Sequence, residues 1–218
     1  MTPTPRPGVR RIGMFGGAFD PPHCAHQALA RAAVEQLGLD TLYVIPTGHA
    51  WHKPRALSAP KHRLAMAQLA FDGLPQVKVD DREMRRAGPS YTADTLAALQ
   101  GEHPGAQLYL LMGADQFAVF GQWQRSGEIR DIAIICIADR SGAASDSTES
   151  LQSSQLSSDR QSAVLTLNLP LMHVSATQIR ELVAASGALA PKAPDLSGLV
   201  PEPVARYIAA HRLYQTQG

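Results

Sequence analysis

The sequence has few cysteines, little net charge and no long hydrophobic run, and each of these absences argues against one class of protein. It contains two cysteines, Cys24 and Cys136, far apart in 218 residues, so we expect no disulfide framework. The apolar run around Cys136 predicts a thiol buried in a strand. The net charge is +1 and the apolar runs are far shorter than a membrane-spanning helix, so neither a nucleic acid nor a membrane is expected as a partner. The composition, with 44% hydrophobic and 18% charged residues, is that of an ordinary soluble globular protein.

Two segments differ in composition from the rest of the chain. Residues 1–9 are rich in proline and arginine without an apolar stretch of signal-peptide length, and we predict a loose tail on a cytoplasmic protein. Residues 141–162 are rich in serine and nearly free of aromatic residues, which predicts a flexible insertion; a gating lid is the less favoured alternative. The chain as a whole, 1–218, is predicted to form a single domain, because its length suffices for one sizeable core.

Apolar runs bounded by turn residues alternate with amphipathic segments along the chain. The runs predict strands ending near Phe15 and over Thr41–Pro46, Val77–Asp80, Leu108–Gly113, Ile132–Ala138 and part of 163–170. Helices are predicted over His23–Leu37, Pro60–Phe71 with Ser58 as its cap, Tyr91–Gln100, around Trp123 and Ile129, beginning within 173–182 and from about Pro203. Residues 80–90 are predicted as a polar loop. The alternation predicts an α/β fold, a Rossmann-like doubly wound parallel sheet with C-terminal helices, which binds ligands at the carboxyl ends of its strands.

The segment 13–29 is predicted as a strand, a tight loop and the start of a helix. Gly16 and Gly17 lack a Cβ, so a bulky ligand can lie against the backbone. His23 and His26 fall at the start of the helix, where backbone N–H groups and the dipole favour anions. The pattern predicts a phosphate site. A zinc site using both histidines and Cys24 is disfavoured, because no second Cys/His cluster has suitable spacing.

A second candidate anion site lies within 173–182. Ser175 is a natural N-cap, and Thr177 and Arg180 fall in the first turns of the helix that follows. A hydroxyl, a guanidinium and helix N–H groups together suit a phosphate. Taken alone, the stretch is better explained as an ordinary capped helix with an exposed arginine.

Both stretches resemble motifs of one superfamily. GGAFDPPHCAH, at 16–26, resembles the G-x-F-D-P-x-H-x-G-H signature of the HxGH nucleotidyltransferases, and SATQIR, at 175–180, resembles their S-x-T-x-I-R motif. The resemblance implies a Rossmann-like fold and catalytic roles for His23, His26 and Arg180. It also implies that ATP is bound by Gly16, Gly17, Phe19, His23, His26, Ser175, Thr177 and Arg180. Ala25 stands where the family has glycine, and we predict that its methyl lies beside the phosphate path.

Three segments in the middle of the chain resemble one particular family within this superfamily. TGHAWHKP at 47–54, REMRRAGPSYTADTL at 82–96 and MGADQF at 112–117 resemble the bacterial nicotinate-mononucleotide adenylyltransferases. This implies transfer of AMP from ATP to nicotinate mononucleotide, with Mg²⁺ held by phosphates rather than by protein side chains. The residues implied for the acceptor are His52, Lys53, Ser90, Tyr91, Thr92, Asp115 and Trp123.

Elementary chemistry agrees with these acceptor roles. A helix N-terminus at Tyr91 suits a carboxylate, an indole face suits a pyridinium ring, and Asp115 at the end of a strand suits ribose hydroxyls. Two alternatives remain open from the sequence. One is a related adenylyltransferase that acts on phosphopantetheine or nicotinamide mononucleotide. The other is a nucleotide-binding protein with weak turnover. The sequence also leaves open the formation of a homo-oligomer.

Overall fold

The computed structural model of the protein describes residues 8–48, 57–139, 164–186 and 194–215. Its centre is a six-stranded sheet with the order β3-β2-β1-β4-β5-β6, in which every neighbouring pair of strands is parallel. The strands are β1 (Arg11–Gly17), β2 (Thr41–Pro46), β3 (Val77–Val79), β4 (Gln107–Gly113), β5 (Ala133–Asp139) and β6 (Val164–Asn168). The order and direction of the strands confirm the predicted Rossmann-like α/β fold.

Helices connect the strands and flank the sheet. They are α1 (Cys24–Leu37), α2 (Pro60–Phe71), α3 (Arg82–Arg85), α4 (Thr92–Glu102), α5 (Ala114–Ala118), α6 (Ser126–Ile132), α7 (Ala176–Ser186) and α8 (Glu202–Ala210), with a 3₁₀ turn at Phe120–Gln122. The element bounds predicted from the sequence lie within two residues of these. None of the helices in the described ranges combines the length and the apolar composition needed to cross a membrane.

Two local predictions were wrong. The segment 80–90 is not wholly a loop, because it contains the short helix α3. Ser58 does not cap α2, since the N-cap is Ala59 and no side chain caps the helix. Ser58 lies one residue before the N-cap position, and its backbone is used in hydrogen bonds to Asp20 and Arg63 that are described below. The buried thiol predicted at Cys136 is confirmed, and burial raises the pKa of Cys136 to about 12.

The core has two parts, one on each face of the sheet. Helices α1, α2, α7 and α8 pack on one face, and α4 and α6 pack on the other. Successive residues of β1 alternate between them: Met14 belongs to the α4 and α6 side, whereas Phe15 belongs to the opposite side. With both faces covered by helices, the sheet is the middle layer of a three-layer fold.

The order of the strands places a crevice between β1 and β4. Across the sheet the strands follow the order β3, β2, β1 and then β4, so the connections that leave β1 and β4 run toward opposite faces. The carboxyl ends of the two strands, at Gly17 and Gly113, lie at the same edge. Ligands of such sheets bind at this point, and the predicted ATP loop and Asp115 follow directly after these two ends.

Candidate active site

The loop between β1 and α1 is organised around Asp20, which is 2% exposed. The phenol of Tyr214 donates to Oδ1 of Asp20 at 2.7 Å, and the backbone N–H of Ser58 donates to Oδ2 at 3.1 Å. The backbone carbonyl of Asp20 accepts from Nη1 of Arg180 at 2.9 Å. Three segments that are distant in sequence therefore fix the conformation of this loop.

Arg63 also binds the β1–α1 loop, and its side chain is 1% exposed. Burial lowers the pKa of Arg63, and the nearby carboxylate of Asp20 acts in the opposite direction. The guanidinium donates to four backbone carbonyls: those of Ala18 at 3.1 Å, Thr47 at 2.7 Å, Gly48 at 3.3 Å and Ser58 at 3.0 Å. Arg63 thus joins the loops that follow β1 and β2, the two strands nearest the crevice on this side.

The two predicted histidines lie together at the start of α1. His23 is the N-cap and is 3% exposed, and His26 occupies the third helical position and is half-buried. Their rings stack with centroids 3.6 Å apart, and the ring of Phe19 meets His26 edge-on at 5.1 Å. The backbone N–H of His23 donates to Nδ1 of His26 at 3.1 Å. Because Nδ1 is an acceptor, a neutral His26 carries its proton on Nε2, which makes that nitrogen a donor.

Three small residues, Gly16, Gly17 and Ala25, surround the two histidines. Gly16 is exposed at the end of β1, and a Cβ at Gly17 would lie 3.0 Å from the ring of Phe19. Ala25 is 9% exposed and belongs to the core cluster that also contains Phe15. Its methyl is therefore packed in the core, and its place beside the phosphate path stays a prediction.

Helix α7 brings the second predicted anion site to the first. Ser175 caps the helix as predicted, since its Oγ accepts from the backbone N–H of Gln178 at 3.1 Å. Nη2 of Arg180 donates to Oγ1 of Thr177 at 2.9 Å, while Nη1 holds the carbonyl of Asp20. The two motifs, separated by about 150 residues, thus meet at one edge of the sheet.

The predicted acceptor residues that the structure describes lie around α4 and the end of β4. Tyr91 is the N-cap of α4 and Thr92 its first residue, with Ser90 just before them. Trp123 is half-buried and lies 5.6 Å from Phe120, ring centroid to ring centroid. Asp115 is exposed in the first turn of α5, directly after β4.

His52, Lys53 and the Ser-rich segment 141–162 lie outside the described residues.

Sequence reasoning missed a further buried group, Glu83 in α3, which is 5% exposed. Oγ1 of Thr95 donates to Oε1 of Glu83 at 2.9 Å, and burial raises the pKa of this carboxyl. Glu83 lies in a strongly charged stretch, where no pattern singles it out. Arg63 was also missed, although a signal existed: it falls on the buried stripe of α2 with Met66, Ala67 and Ala70.

The sequence of the chain resembles those of known proteins. The cytidylyltransferase-like family matches residues 14–182. A protein of Albidiferax ferrireducens described as a probable nicotinate-nucleotide adenylyltransferase is 50% identical over 208 residues, which cover 95% of this chain and 100% of that protein. A protein of Bordetella pertussis with the same description is 41% identical over 209 residues, covering 95% and 100%.

A solved structure shares the fold. The nicotinic acid mononucleotide adenylyltransferase of Plasmodium falciparum, complexed with NaAD, superposes with a TM-score of 0.71 at 18% identity, covering 94% of this chain and 97% of that one. The matched family, the extent of the identity and the paired motifs at the switch point of the sheet lead to one conclusion. The chain belongs to the nicotinate-nucleotide adenylyltransferase family.

Proposed function

We propose that the protein transfers AMP from ATP to nicotinate mononucleotide, giving nicotinate adenine dinucleotide and pyrophosphate in NAD biosynthesis. The observation that carries the proposal is the hydrogen bond from Arg180 to the carbonyl of Asp20. It joins two phosphate-binding motifs beside the switch point, where ligands of this fold bind. The names of relatives that are 50% and 41% identical support the same reaction.

In this proposal the β1–α1 loop and α7 hold ATP. The phosphate chain lies against Gly16 and Gly17, with Phe19 fixing the ring of His26. The Nε2–H of His26 donates to the phosphates, and His23 supports it by stacking. Thr177 and Arg180, at the capped start of α7, bind the β- and γ-phosphates. The positive charge of Arg180 then stabilises the departing pyrophosphate, and Ser175 orders the turn from which it acts.

The acceptor lies across the crevice at α4. Its pyridine carboxylate accepts hydrogen bonds at Ser90, Tyr91 and Thr92, where the helix N-terminus favours an anion. Trp123 stacks on the pyridinium ring, and Asp115 binds ribose hydroxyls. In the same proposal, His52 and Lys53 bind the mononucleotide phosphate.

The chemical step needs alignment more than a base. The attacking group is a phosphate that is already ionised at neutral pH, so no side chain has to remove a proton from it. Catalysis then consists of holding the attacking oxygen, the α-phosphorus and the leaving oxygen in line and neutralising charge on the phosphates. The rigid ATP loop and the acceptor helix supply the alignment.

Mg²⁺ would enter with ATP. Within the described ranges, no group of three or more His, Cys, Asp or Glu side chains is placed to hold a metal ion, and the carboxylate of Asp20 already accepts two hydrogen bonds. In this proposal Mg²⁺ is coordinated mainly by phosphate oxygens and water, as it commonly is. When bound, Mg²⁺ supplies further neutralisation of phosphate charge.

A pyrophosphate-release assay with ATP and a panel of acceptors tests the proposal. We expect nicotinate mononucleotide to be preferred over nicotinamide mononucleotide by about tenfold to a few hundredfold in kcat/KM, because bonds to a carboxylate are stronger than bonds to an amide. A higher kcat/KM with nicotinamide mononucleotide or phosphopantetheine would assign a different acceptor. Binding of ATP without release of pyrophosphate from any acceptor would identify a nucleotide-binding protein instead.

A further inference from the structure

Glu83 lies where the start of α4 meets the rest of the protein. Its carboxylate accepts from Thr95, which lies in the first turn of α4, at 2.9 Å. Its backbone carbonyl accepts from Oγ of Ser90, just before the helix, at 3.5 Å. Glu83 therefore contacts α4 on both sides of its N-cap, Tyr91. These contacts determine where the first N–H groups of the helix point.

The same residue is packed against the segment that follows β2. A Cβ added at Gly48 would lie 2.1 Å from the carbonyl oxygen of Glu83 and 2.8 Å from Oγ of Ser90. The backbone N–H of Gly48 also donates to the carboxylate of Glu83. Gly48 is in turn held by Arg63 through its carbonyl. Glu83 thus connects the start of α4 to the chain segment that leads into His52 and Lys53.

The environment explains why a carboxylate is present at a buried position. A buried carboxylate is costly unless donors and positive charge converge on it. Here the hydroxyl of Thr95 and the N–H of Gly48 supply the donors. Nη1 of Arg86 donates to Oγ1 of Thr95 at 3.3 Å and brings a positive charge nearby. An apolar residue could fill the space, but it could not hold these groups in one arrangement.

We infer that Glu83 is a positioning residue for the mononucleotide acceptor. It aligns the start of α4, which receives the pyridine carboxylate, with the segment after β2. The inference rests on the proposed function, because the acceptor site at Ser90, Tyr91 and Thr92 belongs to that proposal. Glu83 does not touch the reacting atoms, so its loss should act on the affinity and choice of acceptor rather than on ATP.

The test compares Glu83→Ala and Glu83→Gln with the wild type in steady-state kinetics. We expect Glu83→Ala to raise KM for nicotinate mononucleotide by about tenfold and Glu83→Gln by roughly threefold, because glutamine keeps one acceptor oxygen for Thr95. KM for ATP should stay within about twofold, and the preference for nicotinate over nicotinamide mononucleotide should fall. Glu35→Gln, an exposed glutamate of α1 on the opposite face of the sheet from α4, is the matched control and should leave all three quantities unchanged.

Two results would overturn the inference. One is an equal rise in KM for both substrates with an unchanged acceptor preference, which is the signature of a merely structural role. The other is an unchanged KM for the mononucleotide in a folded variant. Thermal melting monitors folding, and Glu83→Gln decides the question if Glu83→Ala does not fold. A wild type that does not use nicotinate mononucleotide would refute the proposed function instead, so the two failures are distinguishable.

Discussion

The two halves of the candidate site differ in how the protein holds them. At the ATP half, α2, α7 and the C-terminal segment all donate hydrogen bonds to the β1–α1 loop, and Asp20 and His23 are almost completely buried. At the acceptor half, Tyr91 and Trp123 are half-buried and Asp115 is exposed. The proposed ATP half is therefore held by more long-range hydrogen bonds to buried groups, whereas the side chains proposed for the acceptor half are more exposed.

This difference has an energetic consequence. Where a site is held by buried long-range hydrogen bonds, a substitution that breaks one should lower both activity and the free energy of unfolding. Where a site consists of partly exposed side chains, a substitution should change affinity and leave stability nearly unchanged. Substitutions in the two halves therefore test whether they differ in this way.

The largest effect is expected for His26→Ala at the ATP half. Removing one preorganised donor to a transition state costs about 10²–10³ in rate. We expect kcat to fall by that factor while far-ultraviolet circular dichroism stays native. His211→Ala, an exposed histidine just after α8, serves as control and should retain wild-type kinetics. Near-normal turnover of His26→Ala would refute the role assigned to this ring.

Tyr214→Phe should lower both the stability of the protein and its affinity for ATP. It removes the hydrogen bond to the carboxylate of Asp20, and bonds to charged groups contribute roughly 1.5–3 kcal/mol to the free energy of unfolding. We expect Tm to fall by several degrees and KM for ATP to rise about fivefold to tenfold, with KM for the mononucleotide unchanged. Tyr207→Phe, which breaks a bond to His62 instead, is the control for KM. A loss of stability without any change in KM for ATP would show that the ATP half does not depend on this contact.

Trp123→Ala should affect the acceptor half alone. Loss of a face for the pyridinium ring should raise KM for nicotinate mononucleotide by a few-fold to about thirtyfold. Both mononucleotides carry a pyridinium ring, so their ratio of kcat/KM should stay nearly constant, and KM for ATP should not change. A collapsed ratio would transfer the discrimination from the start of α4 to the indole.

The smallest effect on activity is expected for Ala25→Gly, which restores the glycine of the family motif. The methyl of Ala25 is buried in the core, so we expect kcat and KM for ATP to be equal to or slightly better than in the wild type. Stability should fall by roughly 0.5–1 kcal/mol, because glycine is unfavourable within a helix. A rise in turnover by orders of magnitude would mean that the methyl obstructs the phosphate path after all.

The sequence was sufficient to predict the layout of the fold and the residues at the helix starts. Strands and helices have periodic patterns, and His23, His26, Ser175 and Arg180 lie in short motifs that local rules or a family resemblance identify. The residues that support these motifs from other segments could not be predicted in this way. Arg63 bonds to Ala18 across 45 positions, and Tyr214 bonds to Asp20 across 194, so their partners are set by tertiary packing.

The burial of Glu83 could not be predicted for the same reason, although its partners are closer in sequence. Its neighbours in the chain are charged, which favours an exposed loop, and its burial arises only because α3 packs against β2 and the start of α4. Ser58 failed as a predicted cap because the helix begins at Pro60, which makes Ala59 the N-cap. At Glu83, contacts between separate segments outweighed the local preference.

The bond between Tyr214 and Asp20 also has a consequence for synthesis of the protein. It joins positions 194 residues apart, so a nascent chain cannot complete its β1–α1 loop until nearly all of the described sequence has left the ribosome. Contacts of such large sequence separation are costly in loop entropy and close late in folding. A product that terminates before residue 214 would carry both motif histidines yet lack this support for them.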